Sequence, residues 1–347
     1  MKMKAVVLSK VYNPDTEELG EVSCIQTERP EIAADDDVLI KIAYASICGS
    51  DPHLLEGAFG LSECSPVGHE LSGTIEALGP KATLKGLKVG DKVTGNFYRT
   101  CGKCGMCQGG KPQFCEHGAG WGAAHGQYIV WKEEQVYKLP KGVSLLEAAL
   151  AEPFNIAVHA VELADIQVGA HVAVSGGGGI GLMVTQVLKK LGAGRVTVLE
   201  PVEQKRNRAM IMGADYVLNP LDADVMDQVM AVSGGKGFDA VIESSGNGTA
   251  ARNTLDYASR GGHVVLMSMY QEGFKMDVDL LRYFYWKELR IQGMYLAQSS
   301  FQRSVNLLPQ VNLKPVIEKI YSLDECSQAY SDQRSGRYAK LVFDCWK

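Results

Sequence analysis

Hydrophobic and polar positions follow two different patterns along the chain, and the change comes near residue 155. In the first part, short apolar runs are separated by turns that contain glycine or proline. Strands are predicted at Val38–Tyr44, after His69, after the turn Val89–Asp91 and at Gln127–Trp131. Many short strands with such turns are typical of a barrel-like or antiparallel β module.

Beyond residue 155, strand-like runs alternate with helical ones. Strands are predicted at Val172–Val174, Val196–Leu199, Tyr216–Leu218, Phe238–Ile242 and His263–Leu266, and helices at Leu182–Leu191 and Gln204–Met212. This alternation is typical of a parallel, doubly wound sheet. The predicted fold class is α/β, with a β-rich part, a doubly wound part and a last strand at Lys340–Phe343.

Composition excludes some classes of function. The 347 residues carry a formal charge of −5 without a basic stripe, so no nucleic-acid partner is expected. No apolar stretch is long enough to span a bilayer, and the N-terminal run Ala5–Leu8 is too short for a secretory core. We therefore expect a cytoplasmic protein that does not bind a membrane.

A glycine-rich turn after the strand Val172–Val174 points to a dinucleotide cofactor. Gly176, Gly178 and Gly181 fit G-x-G-x-x-G between a predicted strand and a predicted helix, whose N-terminal amides can bind a pyrophosphate. Glu200 ends the next strand nineteen residues after Gly181 and can accept hydrogen bonds from ribose hydroxyls, which favours NAD. The predicted cofactor-binding residues are Gly176, Gly178, Gly179, Ile180, Gly181, Glu200 and Lys205.

Two alternatives to this interpretation stay open. The turn could be purely structural, with Glu200 an incidental surface acid. The cations Lys205 and Arg206 could accommodate the 2′-phosphate of NADP, although solvated helix residues are the commoner case.

Four of the nine cysteines lie within fifteen residues, at Cys101, Cys104, Cys107 and Cys115. Four soft ligands with no open position predict a structural, tetrahedral zinc. The alternatives are an iron–sulfur cluster, which similar spacings can hold, and reduced cysteines in a flexible loop. The other cysteines that belong to no predicted metal site, Cys24, Cys64, Cys326 and Cys345, are expected to be reduced structural thiols.

A second set of possible metal ligands is dispersed along the first part of the chain. Cys48, His69, Glu70 and Glu152 together offer one thiolate, one imidazole and one or two carboxylates, with room for water or an alcohol. That is the composition of an open, catalytic zinc site. Each residue alone would be unremarkable, since a single Cys or His beside a strand is more often a packed core residue.

The motifs together resemble those of the zinc-dependent medium-chain dehydrogenases, and the resemblance runs from end to end. The motifs that carry it are Cys48-Gly49-Ser50-Asp51-Pro52-His53, Gly68-His69-Glu70, the four-cysteine loop, Ala151-Glu152-Pro153 and the glycine turn. Glu70 beside His69, and Glu152 where relatives have a cysteine, are similar to the polyol, threonine and butanediol dehydrogenase branch.

The resemblance implies a domain order, a zinc site and a reaction. A GroES-like catalytic domain (1–155) is interrupted by a Rossmann NAD-binding domain (156–290), the chain returns to the first domain (291–347), and the active site lies in the cleft. Cys48, His69 and a glutamate hold the catalytic zinc, with Glu152 bound directly or through water. A hydride passes between NAD and a secondary alcohol or polyol, and the product is the ketone.

The resemblance also assigns the proton relay. Ser50 accepts the alcohol proton, which passes through the nicotinamide ribose to His53. A turn-capping hydroxyl at Ser50 and a surface imidazole at His53 are the structural alternatives. Two other functions stay open: a zinc-independent NAD(P)-dependent reductase of the same superfamily and, more remotely, a non-enzymatic zinc- and dinucleotide-binding regulator.

Several residues receive weaker predictions. Asp51 either orients a neighbouring group or forms a turn with Pro52, and His125 and Trp121 either line the substrate pocket or are structural. The stretch Ile291–Ala297 lacks the arginine of sorbitol dehydrogenases, which argues against a hexitol. Relatives commonly pair their Rossmann sheets, so we expect a homo-oligomer, a tetramer or a dimer, with His263–Leu266 and the segment after it as the contact.

Overall fold

The computed structural model describes residues 1–120 and 122–347, and the chain divides into two units. Unit 1 contains Met1–Asn155 and Ala297–Lys347, and unit 2 contains Ile156–Leu296. Unit 2 is therefore an insertion in the chain of unit 1. The return to unit 1 comes at Ala297 rather than at 291, because Arg290–Gly293 still pairs within the sheet of unit 2.

Fifteen strands form among the described residues. They are β1 Lys2–Lys10, β2 Glu21–Glu28, β3 Asp37–Ser46, β4 Glu70–Leu78, β5 Lys92–Gly95, β6 Tyr128–Lys132, β7 Val136–Lys138, β8 His171–Ser175, β9 Arg195–Leu199, β10 Tyr216–Leu218, β11 Phe238–Glu243, β12 Ala258–Leu266, β13 Arg290–Gly293, β14 Ile317–Ser322 and β15 Lys340–Asp344.

Nine α-helices form among the described residues, four in unit 1, four in unit 2 and one, α3, that runs from unit 1 into unit 2. They are α1 Gly105–Gln108, α2 Leu145–Ala148, α3 Ala151–Leu163, α4 Gly179–Lys190, α5 Glu203–Ile211, α6 Val225–Val232, α7 Gly248–Tyr257, α8 Phe301–Leu307 and α9 Cys326–Arg334. A 3-10 helix at Asp51–Glu56 and a π-helix at Leu281–Trp286 also enter the argument below. Among the residues described, no helix has both the length and the apolar character needed to cross a membrane.

Unit 1 is built around a seven-stranded sheet with the strand order β14-β15-β3-β4-β5-β7, in which β6 also pairs with β3. Strand β3 places Val38, Ile40 and Ile42 in the core and exposes Lys41 between them, as alternation along a strand requires. The last strand, β15, pairs antiparallel with β3 at Val342 and Ser46. The C-terminal segment therefore completes the sheet that the first part of the chain begins.

The two points where the chain leaves and re-enters unit 1 are tied together. The side-chain Nδ2 of Asn155 donates to the carbonyl oxygen of Ala297 at 2.6 Å, and Asn96 Nδ2 donates to the same oxygen at 3.3 Å. Asn155 Oδ1 accepts from the hydroxyls of Ser300 and Ser304. Because these side chains are buried, their hydrogen bonds hold the two ends of unit 1 side by side.

Unit 2 is a six-stranded parallel sheet with the order β10-β9-β8-β11-β12-β13. The order reverses between β8 and β11, and ligands of doubly wound sheets bind at the carboxyl ends of the strands at such a point. The predicted strand His263–Leu266 lies in β12, between β11 and β13. The free edge on this side of the sheet belongs to β13, which lies in the segment after His263–Leu266 that was also predicted as a contact.

Candidate metal centres and cofactor site

The four-cysteine loop closes on itself in unit 1. One sulfur atom from each of Cys101, Cys104, Cys107 and Cys115 lies within 4.8 Å of the others. The Sγ atoms of Cys104 and Cys115 are 3.8 Å apart. Four thiolates at about 2.3 Å from one tetrahedral ion would be separated by about 3.8 Å, so this spacing fits a single zinc and is too tight for a cluster of several irons.

Backbone amides favour the thiolate forms of this loop. Cys101 N–H donates to Cys115 Sγ at 3.2 Å, and Cys104 N–H donates to Cys101 Sγ at 3.3 Å. Hydrogen bonds from the N–H groups of Cys107 and Glu116 lower the pKa of Cys104 to about 6. Hydrogen bonds to a charged form stabilise it, so Cys104 loses its proton readily. The pKa of Cys107 is instead raised to about 12, first by burial and then by its hydrogen bonds to Cys104 and Cys115.

The dispersed ligands meet where β3 and β4 lie side by side. Cys48 follows β3, His69 comes directly before β4, and Glu70 is its first residue, opposite Ser46 in the register. One ligand atom from each of Cys48, His69 and Glu70 lies within 4.8 Å of the others. The antiparallel pairing therefore brings together residues that are twenty-one positions apart in the sequence.

Asp51 orients two of these residues. Its Oδ2 accepts from Cys48 N–H at 2.8 Å, and its Oδ1 lies 3.4 Å from His69 Nδ1. A carboxylate at Nδ1 leaves Nε2 as the metal-binding nitrogen of the histidine. Burial is the largest single effect and lowers the pKa of His69, but the charges and hydrogen bonds of Asp51 and Cys48 together outweigh it, so the pKa of His69 is raised. Asp51 thus orients a neighbouring group, one of the two roles considered from the sequence.

Glu70 is held by a lysine from the other end of the chain. Lys340 Nζ donates to Glu70 Oε1 at 2.7 Å and to Oε2 at 2.6 Å, and the Ser46 hydroxyl also contacts Oε2. The side chains of Lys340 and Glu70 are 3% and 0% exposed. Both oxygens of this carboxylate are therefore already engaged.

Glu152 lies in the first turn of α3 and is buried. Among the described residues its carboxylate is outside the 4.8 Å group formed by Cys48, His69 and Glu70. Burial raises the pKa of Glu152 to about 7, with nearby His69 opposing this and nearby Glu70 adding to it. Glu152 therefore interacts electrostatically with His69 and Glu70, but its carboxylate lies outside the group of ligand atoms that Cys48, His69 and Glu70 form.

The two predicted relay residues occupy a 3-10 helix that follows Cys48. Ser50 is its N-cap residue, yet within residues 1–120 and 122–347 its side chain makes no capping hydrogen bond. His53 is half-exposed, and its Nδ1 lies 2.8 Å from Glu56 Oε2. The hydroxyl of Ser50 is thus not used to cap this helix, and His53 can exchange a proton with solvent.

His125 supports the protein rather than a substrate pocket. It is 1% exposed, its Nε2 lies 3.1 Å from the carbonyl oxygen of Ser46, and its Nδ1 lies 3.1 Å from the Tyr330 hydroxyl. Of the two roles considered from the sequence, these contacts support the structural one, because the ring is enclosed between β3 and the C-terminal segment. Trp121 lies outside the described residues.

The glycine turn in unit 2 has the geometry that a dinucleotide needs. Gly176 has φ +107°, a Cβ on Gly181 would lie 2.0 Å from the carbonyl oxygen of Gly176, and a Cβ on Gly178 would meet nothing within 4 Å. Gly176 is therefore required for the tight turn, and Gly181 for the close packing of α4 against it. The open face at Gly178, at the N-terminus of α4, is where a pyrophosphate can reach helix amides.

Glu200 faces this turn from the end of β9. Its Oε2 accepts from Gly177 N–H at 2.8 Å, and its Oε1 accepts from Val202 N–H at 2.9 Å. The Arg206 guanidinium donates to the backbone carbonyls of Glu200 and Pro201, and Lys205 is half-buried on α5. The guanidinium is therefore engaged with backbone, which leaves the carboxylate of Glu200 to meet a ribose.

Sequence reasoning missed several residues around the catalytic ligands. Lys340, Ser46 and Glu56 contact predicted site residues, and the Phe97 ring lies 4.9 Å from the His69 ring. Only Lys340 left a signal, as a charged residue inside the apolar run Ala339–Phe343. The others look like ordinary residues of strands and turns.

Comparison with known families agrees with this geometry. Residues 34–141 match the GroES-like domain of alcohol dehydrogenases, and residues 179–310 match the zinc-binding dehydrogenases. The L-threonine 3-dehydrogenase of Caldanaerobacter subterraneus subsp. tengcongensis is 32% identical over 331 residues, which are 92% of this chain and 94% of that protein.

Solved structures share the whole architecture. A candidate zinc-binding dehydrogenase from Clostridium scindens has a TM-score of 0.93 and 32% identity, and the match covers 99% of this chain and 100% of that one. A second from Sinorhizobium meliloti, bound to NADP, has a TM-score of 0.89 and 28% identity, with 99% of each chain covered.

Proposed function

The chain belongs to the zinc-dependent alcohol dehydrogenase family, and from that premise we propose that it oxidises a secondary alcohol or polyol to the ketone with NAD. The observation that carries this proposal is the meeting of Cys48, His69 and a carboxylate, with Asp51 behind the histidine. A thiolate, an imidazole and a carboxylate leave a zinc ion one position for substrate.

The chemistry divides into a proton and a hydride. Zinc, when bound, stabilises the alkoxide of an alcohol and polarises the carbonyl in the reverse direction. Ser50 accepts the alcohol proton, and His53, held by Glu56, passes it to solvent. The hydride from the carbinol carbon goes to the nicotinamide, so that alcohol and NAD⁺ become ketone, NADH and one proton.

Unit 2 supplies the cofactor site for this reaction. The amides at the start of α4 bind the pyrophosphate beside Gly178, and Glu200 binds the adenosine ribose hydroxyls. A 2′-phosphate next to the Glu200 carboxylate would be repelled. We therefore propose that NAD is used in preference to NADP, with Lys205 a minor contact.

We propose two zinc ions per chain, one in the four-cysteine loop and one at Cys48 and His69. The test is elemental analysis of purified protein, followed by an NAD-reduction screen on the same sample. About two zinc ions per chain with NAD reduction on secondary alcohols supports the proposal. About one zinc, with reduction of activated double bonds instead, would contradict it.

The substrate is proposed as a secondary alcohol that carries a neighbouring polar group. Curated relatives at 30% to 33% identity act, by their names, on L-threonine. The screen therefore begins with L-threonine, 2,3-butanediol and a hexitol. Turnover confined to primary alcohols would contradict this part of the proposal.

We also propose that the chain forms a homo-oligomer, a dimer or a tetramer, through the free edge of β13 in unit 2. Arg290, Gln292 and Gly293 of this strand are exposed, and the π-helix just before it exposes Tyr285 at 72% and Trp286 at 56%. An unpaired edge beside exposed aromatic side chains is typical of a contact surface. Light scattering tests this; a monomer at micromolar concentration would contradict it.

Cytoplasmic residence is proposed on the cysteines. All nine are free thiols in the structure, and four of them sit in a loop suited to metal. Reducing compartments keep cysteines in this state.

A further inference from the structure

Unit 2 has a cleft at the end of its sheet that is opposite to the glycine turn, here called the amino-end cleft. Its volume is about 630 Å³, and it is lined by the loop 164–170 and by residues near the amino ends of β11, β12 and β13. Small-molecule sites usually have volumes of about 300 to 1,000 Å³. We propose that the amino-end cleft binds a small molecule that carries a phosphate monoester and hydroxyl groups.

The amino-end cleft is separate from the cofactor site. All strands of a parallel sheet run the same way, so their amino and carboxyl ends lie at opposite edges. The glycine turn begins at Gly176, directly after β8, whereas the cleft includes Ala170, directly before β8. The five residues of β8, at about 3.3 Å each, separate the two by about 16 Å. A dinucleotide bound at the turn therefore does not fill the cleft.

A bulge in β12 supplies the first cation of the cleft. Phe238 of β11 pairs with Ala258, but Ala240 pairs with His263. Two steps along β11 are thus matched by five along β12, which contains three extra residues here. Arg260 is one of them, is exposed and lines the cleft. Bulges commonly re-aim a side chain beside a functional site. The bulge therefore gives the cleft a guanidinium that lies outside the regular ladder.

This guanidinium is held on one side and available on the other. Arg260 Nε donates to the carbonyl oxygen of Trp286 at 3.1 Å. Within residues 1–120 and 122–347, the two terminal nitrogens of Arg260 form no hydrogen bond and no ion pair. Both nitrogens carry N–H donors. The bond to Trp286 therefore orients a fork of donors that a ligand can use.

The register of the sheet adds a second arginine and a histidine. His263 of β12 and Arg290 of β13 are direct partners, so their side chains lie on the same face, and both line the cleft. Arg290 Nη1 is 3.8 Å from Asp165 Oδ2, and the two side chains are 72% and 71% exposed. An exposed ion pair of this kind contributes little. An anionic ligand can therefore replace Asp165 at Arg290.

The donors fit a phosphate better than a carboxylate. They come from three places, Arg260 in the bulge, His263 on β12 and Arg290 on β13. A phosphate monoester has three terminal oxygens and about two negative charges, which two guanidinium groups balance. A carboxylate has two oxygens in one plane, which suffice for one guanidinium. The carboxylates of Asp165 and Asp239, which also line the cleft, can accept hydrogen bonds from hydroxyl groups of the ligand.

The oligomer proposed above does not use these side chains. Pairing of copies along the free edge of β13 would engage backbone N–H and C=O groups in the plane of the sheet. The side chains of a strand stand out of that plane, so the guanidinium of Arg290 stays available.

The test is titration calorimetry on the full chain with NAD present, so that the glycine turn is occupied. The probes are inorganic phosphate, ribose 5-phosphate and acetate. We expect one phosphate probe to bind per chain. Ribose 5-phosphate should bind more tightly than inorganic phosphate because its hydroxyls meet the two carboxylates, and acetate should give no heat at the same concentrations.

Four single variants test the assignment of the binding residues. Arg260→Gln and Arg290→Gln should each weaken the binding of ribose 5-phosphate by about tenfold, because each removes charge-assisted hydrogen bonds. Asp165→Asn should tighten binding, because it removes the carboxylate that competes for Arg290. Arg195→Gln is the matched control: it removes the same charge at the amino end of β9, outside the cleft, and should change nothing. All four side chains are exposed, so the variants should fold.

Several results would overturn the proposal. One is the absence of binding by both phosphate probes at millimolar concentration. Another is a loss in Arg195→Gln as large as in Arg260→Gln, which would indicate general electrostatic attraction. Weaker binding in Asp165→Asn would indicate a site for cations, and heat that persists in the double variant Arg260→Gln with Arg290→Gln would assign the binding to another place.

The two comparisons between probes test the class of ligand. Acetate that binds as tightly as inorganic phosphate would overturn the choice of phosphate. Equal affinities for inorganic phosphate and ribose 5-phosphate would overturn the part that concerns the hydroxyl groups. None of these readouts uses alcohol oxidation, so failure of the proposed function would leave the result of this test unchanged.

Discussion

The two metal centres of unit 1 are built in opposite ways. The four-cysteine loop takes all its ligands from residues 101–115 and has its own backbone amides as supports. The proposed catalytic centre draws its candidate ligands from the chain just after β3, from the start of β4 with the residue before it, and from the first turn of α3, and Glu70 is held by a lysine 270 residues away. The first centre is closed and satisfied by four thiolates, whereas the second is left open by mixed ligands.

This difference predicts what each centre loses when one of its residues is replaced. The four-cysteine loop should lose its metal when one cysteine is replaced, and the protein should then become less stable. The dispersed centre depends on buried charge partners, Asp51 for His69 and Lys340 for Glu70. Changing one of its residues should therefore alter catalytic activity. The predictions below separate these two kinds of dependence.

The largest expected effect is on catalysis. Cys48→Ser should lower kcat/KM by about three powers of ten or more, because stabilisation of the alkoxide by metal contributes several kcal/mol. Steady-state kinetics measures this, and NAD binding by fluorescence should be largely unchanged. Retained turnover would show that catalysis does not need a metal bound by Cys48.

Cys104→Ser should lower the stability of the protein rather than its catalytic rate. Loss of a structural metal is among the few single changes that cost on the order of 4 kcal/mol or more. Thermal unfolding should show the loss, with one metal fewer per chain. Either of two results would contradict this prediction: a variant as stable as the wild type, or a folded fraction as inactive as Cys48→Ser.

Chelation should distinguish the centres in one sample. Mild treatment with a chelator should remove the metal at Cys48 and His69 first, since an open site exchanges ligands more readily than a closed one. Activity should fall to zero while the metal content falls by half, and added zinc should restore both. Parallel loss of metal from the two centres would contradict the division into open and closed.

Asp51→Asn should have a smaller effect than the loss of a ligand. Outer partners of a ligating histidine are worth about 10-fold to 100-fold in metal affinity or activity. Metal competition assays and kinetics should both show it, and Asp227→Asn, which changes an exposed carboxylate of α6, is the control. An effect below twofold would mean that the 3.4 Å approach to His69 does not orient the ring.

The smallest effect is expected at the surface end of the relay. Glu56→Gln should lower kcat by no more than about tenfold, because it only orients a half-exposed His53 and does not itself transfer the proton. High concentrations of imidazole buffer should restore the rate if proton exit is limiting. A larger loss that buffer does not restore would assign Glu56 a structural role.

The sequence was sufficient wherever the signal is local. The glycine turn, the cysteine loop, and strands such as β3 and β6 were predicted because short-range spacing and alternation specify them. The catalytic ligands needed a family resemblance, since nothing local joins Cys48 to His69. The register of β3 and β4 does this, and register is a property of the folded sheet.

What sequence reasoning missed depends on long-range pairing. The sequence left the role of His125 open between the substrate pocket and the core, and only the fold shows that a carbonyl of β3 and Tyr330 of α9 enclose it. The predicted contact between copies covered His263–Leu266 and the segment after it, and within these residues the sheet leaves its free edge on β13 rather than on β12. Lys340 stands out as a charge in an apolar run, but its partner could not be read from the sequence, because Glu70 lies on β4 and β3 separates β4 from β15 in the sheet.

The bond between Asn155 and Ala297 has a consequence for the history and engineering of this fold. The side-chain nitrogen of Asn155 lies 2.6 Å from the carbonyl oxygen of Ala297, so the two backbone ends of unit 1 are close enough for about one to three residues to bridge, at about 3.5 Å each. Unit 2 can therefore be treated as a removable cassette. A chain that joins residue 155 to residue 297 by a short glycine linker would keep β15 beside β3, and such a graft site would accept another nucleotide-binding module without rerouting the host sheet.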